Sequence, residues 1–162
     1  MGNVLARELV RLKQRVWIFL MPHEKNHVND VEKIFYGDVT QKNSLMPPFI
    51  EADGSELIVI QCAGIVSIKT AFSQKLIDVN VGGTKNVADL CAEYQVSRLI
   101  YISSVHALPE GPPNKRIKET KQFDPDQVVG QYAKTKAEAT AYVLKVGRRG
   151  LHVNVVHPSG LI

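Results

Sequence analysis

Sulfur is scarce in this chain: two cysteines, Cys62 and Cys91, and three methionines among 162 residues. Both cysteines sit in apolar stretches, which favours buried thiols in a reducing compartment over a disulfide. No apolar run approaches the ~20 residues needed to cross a bilayer. The start of the chain lacks the basic, apolar and small-residue regions of a secretory leader, so a cytoplasmic protein with no membrane partner is expected. A basic stripe with interleaved aromatics is also missing. The net charge of +4 is spread along the chain, apart from short clusters such as Arg148-Arg149 and Lys115-Arg116. Nucleic-acid binding is not expected, whereas a weakly basic surface suits a small anionic ligand. His23 and His27 are four apart but have no third ligand in view, so no metal site is expected. There is no internal repeat and no low-complexity tract.

What is present is an alternation of two periodicities. Residues 3–13 read as a helix, with Val4, Leu5, Leu9 and Leu12 at helical spacing. Residues 15–20 (RVWIFL) and 31–39 (VEKIFYGDV) read as strands. Thr40 is placed to cap a short helix that Pro47-Pro48 would stop. Residues 56–64 (ELIVIQCAG) form a continuous apolar run, the pattern of a strand buried on both faces of a parallel sheet. A long helix follows over 73–94, then a strand over 98–104 (RLIYISS) and a proline-rich loop over 105–128. The strongest helix spans 130–147, with Gly147 near its end. A last strand, 151–160 (LHVNVVHPSG), runs into a turn. Strands separated by helices predict an α/β fold with a doubly wound parallel sheet, Rossmann-like, whose ligand site lies at the carboxyl ends of the strands. Asp38, Gly64, Ser103-Ser104 and His157-Pro158 all fall at such ends.

The segment YAKTK places Tyr132 and Lys136 four apart, on one face of a helix. An ammonium near a phenol favours the phenolate, and a tyrosine tuned in this way exchanges a proton near neutral pH. Alone the spacing is a weak signal. Ser104 strengthens it, because in a doubly wound sheet the end of its strand neighbours the start of the next helix. A hydroxyl, a phenol and an ammonium then converge on one carbonyl or carbinol. Cys62 is a poor nucleophile on a buried strand. Trp17, Tyr94 and Tyr142 read as packing residues.

These segments resemble the extended short-chain dehydrogenase/reductases, the NAD-dependent epimerase/dehydratase family. GDVT (37–40), CAG (62–64), VNVGGTKNV (79–87), RLIYISSVHAL (98–108), YAKTK (132–136) and HPSG (157–160) occur in the order and at the spacing of that family. The SSVHAL segment is similar to the branch of dihydroflavonol reductases and hydroxysteroid dehydrogenases. The resemblance implies NAD or NADP as cofactor and Tyr132 as the catalytic acid/base. It implies Lys136 as the group that activates Tyr132 and holds the nicotinamide ribose, and Ser104 as the hydroxyl that polarises the substrate oxygen. Asp38 and Val39 would flank the adenine, and Ala63 and Gly64 would line the cofactor path. Asn80 would tie helix to strand near the site, and Pro158 and Ser159 would approach the nicotinamide.

The family opens with a strand and a turn of three glycines that cradles the pyrophosphate. Gly2 stands in the position of the third. Residues 1–162 are therefore expected to form a partial NAD(P)-binding domain, lacking the first strand and the C-terminal substrate region. In a sheet of order 3-2-1-4-5-6 the first strand is central, so strands 15–20 and 56–62 would lose their shared neighbour. After VWIFL, the residues Met21, Pro22 and His23 do not choose between NAD and NADP. Two function classes are compatible with these residues. One is an NAD(P)-dependent oxidoreductase moving hydride to or from a hydroxyl- or carbonyl-bearing carbon of a small molecule, with a sugar-nucleotide epimerase or dehydratase as its close alternative and a homodimer as a compatible assembly. The other is a truncated, non-catalytic relative or gene-model fragment.

Overall fold

A computed structural model describes residues 1–53, 56–67, 72–111 and 116–160. Lys115 and residues 112–114 of the proline-rich connection lie outside them. Helix α1 (Gly2–Arg11) leads to strands β1 (Trp17–Leu20) and β2 (Lys33–Tyr36). Helix α2 (Lys42–Ala52) and strand β3 (Ile58–Gln61) follow. A helical stretch then runs from α3 (Gln74–Ile77) through a π turn (Asp78–Gly83) into α4 (Thr84–Glu93). Strand β4 (Arg98–Ile102), helix α5 (Gln131–Gly147) and strand β5 (Val153–Val156) complete the order.

All strand pairs are parallel, in two sheets ordered β1-β2 and β3-β4-β5. Strand β1 pairs with β2 and β3 with β4, but β1 and β3 do not pair with each other. Helices cover both sides of β1. Ile18 packs with α1 residues Ala6, Leu9 and Val10, while Phe19 joins the main core with α2 and α4. This is the doubly wound, Rossmann-like arrangement with a break between its halves. The main core lies where β3, β4 and β5 meet α4 and α5, around Leu90, Leu99, Tyr101 and Val143.

Several local expectations change. Val4 and Leu12 face solvent, and Ala6 and Val10 take their places in the buried stripe of α1. Thr40 does not cap α2, because its hydroxyl and amide are both bound to the Asp38 carboxylate at 2.9 and 2.8 Å. Gln41 stands at that cap without a side-chain bond. Pro47 and Pro48 lie inside α2 rather than ending it. Burial of Leu45, Phe49 and Ala52 against the core offsets the ~3 kcal/mol cost of an interior proline. Strand β3 is not buried on both faces: Ile58 is 52% exposed, and only Gln61 is fully buried. Among the described residues its backbone pairs on one side only, with β4. Gly147 serves packing rather than a cap. A Cβ there would come within 2.5 Å of Val153 Cγ2, and the positive φ of 116° falls on Gly150 instead.

Candidate functional site

Because every strand runs the same way, the carboxyl ends gather at one edge of the molecule. Asp38 follows β2, Ala63 and Gly64 follow β3, Ser103 and Ser104 follow β4, and His157, Pro158 and Ser159 follow β5. Gly2 begins α1 close to Cys62: a Cβ on Gly2 would lie 3.6 Å from Cys62 Cβ.

Lys136 is the chemical centre of this edge. Helix α5 presents it inward, and the residue is 6% exposed. Its ammonium donates to the Ile102 carbonyl at 2.9 Å, at the end of β4. It also lies 3.5 Å from the Tyr101 hydroxyl and 5.0 Å from the centre of that ring. Burial pulls its pKa down to about 8, with Cys62 opposing the shift. Gly64 sits beside it, since a Cβ there would lie 3.4 Å from Lys136 Nζ and 3.3 Å from Asn80 Oδ1. Gly64 thus packs directly against the ammonium, where a side chain would crowd it. Tyr132 lies one turn before Lys136 on α5 and is half-buried, with its ring edge-on to His106 at 6.0 Å. Among the described residues its hydroxyl has no hydrogen-bond partner.

The two serines after β4 differ in their commitments. Ser103 is bound into α5 through Thr140 Oγ1 at 2.7 Å, and Thr140 donates in turn to the Lys136 carbonyl. Ser104 caps the short turn Val105–Ala107, with Oγ accepting the His106 amide at 3.2 Å. His157 holds the same turn through Nδ1, 3.1 Å from the Ser104 carbonyl, and stacks on Phe123 at 5.3 Å. Pro158 accepts the Val105 amide at 3.1 Å, whereas Ser159 is exposed.

Asn80 does tie the elements together. From the π turn its side chain accepts the Ile65 amide at 2.7 Å and donates to the Ile65 carbonyl at 2.9 Å. It also donates to Thr135 Oγ1 on α5 at 3.2 Å. The loop after β3 and the start of α5 are therefore braced by one carboxamide. A cleft of ≈ 400 Å³ lies farther along the same edge, lined by Asp38, Thr40, Gln41, Lys75, Asp78, Val79 and Gly82. Val39 is buried beneath it, and its carbonyl accepts Asn86 Nδ2 at 2.9 Å. A larger cleft, of ≈ 560 Å³ between Phe49 and Ser97, lies at the opposite ends of the strands, away from this chemistry.

Cys62 is unsuited to nucleophilic work. Burial pushes its pKa up, although the chain's terminal ammonium and Lys136 oppose that shift. Burial drives the Cys91 thiol up to about 12. Among the described residues there is no cluster fit to hold a metal, and no helix is long and apolar enough to cross a membrane. Sequence reasoning missed Gln61, Thr84 and Tyr101, a buried polar set behind Lys136. The available signal was a glutamine and a tyrosine inside two otherwise apolar strands.

A sequence model of the 3-beta hydroxysteroid dehydrogenase/isomerase family matches residues 1–153. The chain is similar to 3beta-hydroxysteroid-dehydrogenase/decarboxylase isoform 1 of Arabidopsis thaliana, at 33% identity over 89% of this chain and 33% of the relative. It is also similar to Sterol demethylase protein B of Methylococcus capsulatus, at 29% identity over 100% of this chain and 48% of the relative. The chain thus spans a third to a half of the length of these relatives. In fold it matches UDP-glucose 4-epimerase of Thermus thermophilus, solved in complex with NAD. The TM-score is 0.81 and the identity 22%, over 96% of this chain and 50% of that one.

Proposed function

The chain belongs to the 3-beta hydroxysteroid dehydrogenase/isomerase family, and on that premise we propose that residues 1–162 are part of the NAD(P)-binding, catalytic domain of an oxidoreductase acting on a hydroxyl- or carbonyl-bearing carbon. The observation that carries this reading is the Lys136 ammonium, buried at the end of β4 one helical turn from Tyr132 and packed against Gly64. A buried cation at the end of a strand serves a polar ligand more readily than it serves stability.

The residues present fit an elongated anionic dinucleotide. No side chain caps the start of α1, so its first amides and the helix dipole are free to meet phosphate. Asp38 lines the cleft at one end of the edge, and Lys136 stands at the other. Gly64 leaves the backbone between them open to close approach. When bound, the nicotinamide supplies or accepts hydride. Lys136 would hold ribose hydroxyls through the N–H that its protein partners leave free. Tyr132 would transfer the proton at the substrate oxygen, and Ser104 would donate a hydrogen bond to that oxygen. These three acts need no rearrangement of the core, because their groups stand on β4 and α5. General acid–base catalysis of this kind contributes typically ~10²–10⁴-fold.

The relatives' names point the substrate toward hydroxyl-bearing sterols. The experiment is a turnover assay of the purified protein with 3β-hydroxysterols, other secondary alcohols, ketones and sugar nucleotides, each with NAD and with NADP. Nicotinamide reduction with a sterol alcohol supports the reading. Epimerisation of a sugar nucleotide without net nicotinamide change would replace it with the epimerase reading, and inactivity throughout would favour a non-catalytic relative.

A further inference from the structure

Tyr101 occupies a position where a phenylalanine would pack equally well. It lies on the helix-covered face of β4, is 0% exposed, and belongs to the main core. A buried phenolic hydroxyl is costly unless it has partners, and this one is surrounded by them. On one side stands the Lys136 ammonium, at 3.5 Å. On the other stands the Thr84 side chain, which favours the ionised form of the phenol against the effect of burial. Thr84 donates to the Asn80 carbonyl at 2.7 Å and accepts from Gln61 Nε2 at 2.9 Å. Gln61 is the register partner of Tyr101 on β3, so both side chains stand on the same face of the sheet. Gln61 Oε1 is buried without a partner among the described residues, a spare acceptor in the same polar enclave.

We propose that Tyr101 is a positioning residue for Lys136, with Gln61 its register neighbour on the same face of the sheet. An ammonium has three donors in fixed directions. The Ile102 carbonyl takes one, and the Tyr101 oxygen takes a second from a different strand position. Two anchors restrict where the remaining N–H of the ammonium can point, on the side where Gly64 packs against it. The ring adds a cation–π attraction that a carbonyl anchor cannot supply, since Nζ lies 5.0 Å from its centre. Among the described residues the titratable groups that act on Lys136 are Tyr101 from β4 and Cys62 from the loop after β3, while Tyr132 acts on the Tyr101 phenol. The terminal ammonium of α1 acts on Cys62. Burial pushes the Tyr101 phenol above its ordinary range, so it stays neutral where Lys136 titrates.

This inference rests on the reading of Lys136 as a ligand-binding cation, but its test does not use turnover. Lys136 is followed by NMR across pH in protein labelled at the lysine side chains, with Lys136→Met used for assignment. Tyr101→Phe keeps the ring and the core volume and removes one acceptor from the cation, which disfavours the charged form. The Lys136 midpoint should fall by at least about 0.5 pH unit, the size expected for one charge-assisted hydrogen bond. In unsubstituted protein labelled at tyrosine Cζ, the Tyr101 resonance should move in step with the Lys136 titration. That second measurement decides the matter even if the variant does not fold. A midpoint unchanged in a folded Tyr101→Phe, or a Tyr101 resonance flat through the Lys136 titration, makes Tyr101 a packing residue and overturns the proposal. Inactivity toward every substrate would leave this result intact and count only against the oxidoreductase reading.

Discussion

The two halves of the molecule are built to different standards. In the half made of α1, β1 and β2, the buried apolar set is Ala6, Val16 and Val28, supported by side chains that remain partly exposed. In the half made of β3, β4, β5, α4 and α5, Ala88, Leu90, Cys91, Leu99, Tyr101, Ala139 and Val143 are each 0% exposed. The first half carries Gly2 and Asp38, the groups we propose for the cofactor's phosphate and adenine ends. The second carries Lys136, Tyr132, Ser104 and Asn80. On the proposed reading, the groups that must hold a reacting geometry stand on the well-packed half, and those that need only meet a flexible dinucleotide stand on the looser one. Preorganisation is thus concentrated where a small displacement would cost most.

The largest expected effects probe the packed half. Leu90→Ala should destabilise the protein by ~2–5 kcal/mol, the range for a fully buried leucine, as read by chemical denaturation. Val16→Ala, the matching truncation in the looser half, should cost about 1–2 kcal/mol. Equal losses would erase the contrast between the halves. Hydrogen exchange sharpens the same comparison without substitution. Amides of β4 should exchange near the global unfolding limit, and those of β1 and β2 at least ~10-fold faster by local opening. Uniform protection would contradict the contrast.

A smaller effect lies in the pH dependence of stability. The folded pKa of Lys136, about 8, is below the ordinary lysine value of ~10.4. Between these values the unfolded chain binds the extra proton at this side chain, so Lys136 contributes a rise in stability with pH there, opposed by the buried Cys62 and Cys91 thiols, which hold their protons in the folded chain beyond the ordinary thiol range. Below about pH 8 both states are charged, and the burial cost of the ammonium is carried in full. Lys136→Met should abolish that rise, as seen in thermal melts from pH 7 to beyond the ordinary lysine value. A variant with the same slope as the parent would place the titration elsewhere. The smallest effect is expected at the surface. Glu138→Gln breaks the ion pair with Lys85, whose side chains are 39% and 46% exposed, and should cost at most about 1 kcal/mol, less in high salt.

The order of elements was legible because periodicity is local: the helix over 130–147 and the strand over 98–104 match α5 and β4 to within a few residues. The gathering of Asp38, Gly64, Ser104 and Pro158 at one edge was legible too, since parallel strands must end on the same side. What local pattern could not reveal depends on tertiary contact. Pro47 and Pro48 are tolerated because Leu45 and Phe49 are buried beside them. The apolar run at β3 reads as doubly buried, yet its exposure is set by which neighbours pair with it. Tyr101, Thr84 and Gln61 come from three separate elements, so no spacing within one segment announces that they meet.

The central claim is that Tyr132 moves the proton while Lys136 holds the ligand. It is tested most directly by measuring turnover and cofactor dissociation together in Tyr132→Phe and Lys136→Met, made in a full-length protein that restores the first strand, its glycine turn and the substrate region. In Tyr132→Phe turnover should fall by ~10²–10⁴-fold with cofactor affinity unchanged, while Lys136→Met should lose both. Normal turnover in Tyr132→Phe would contradict the account.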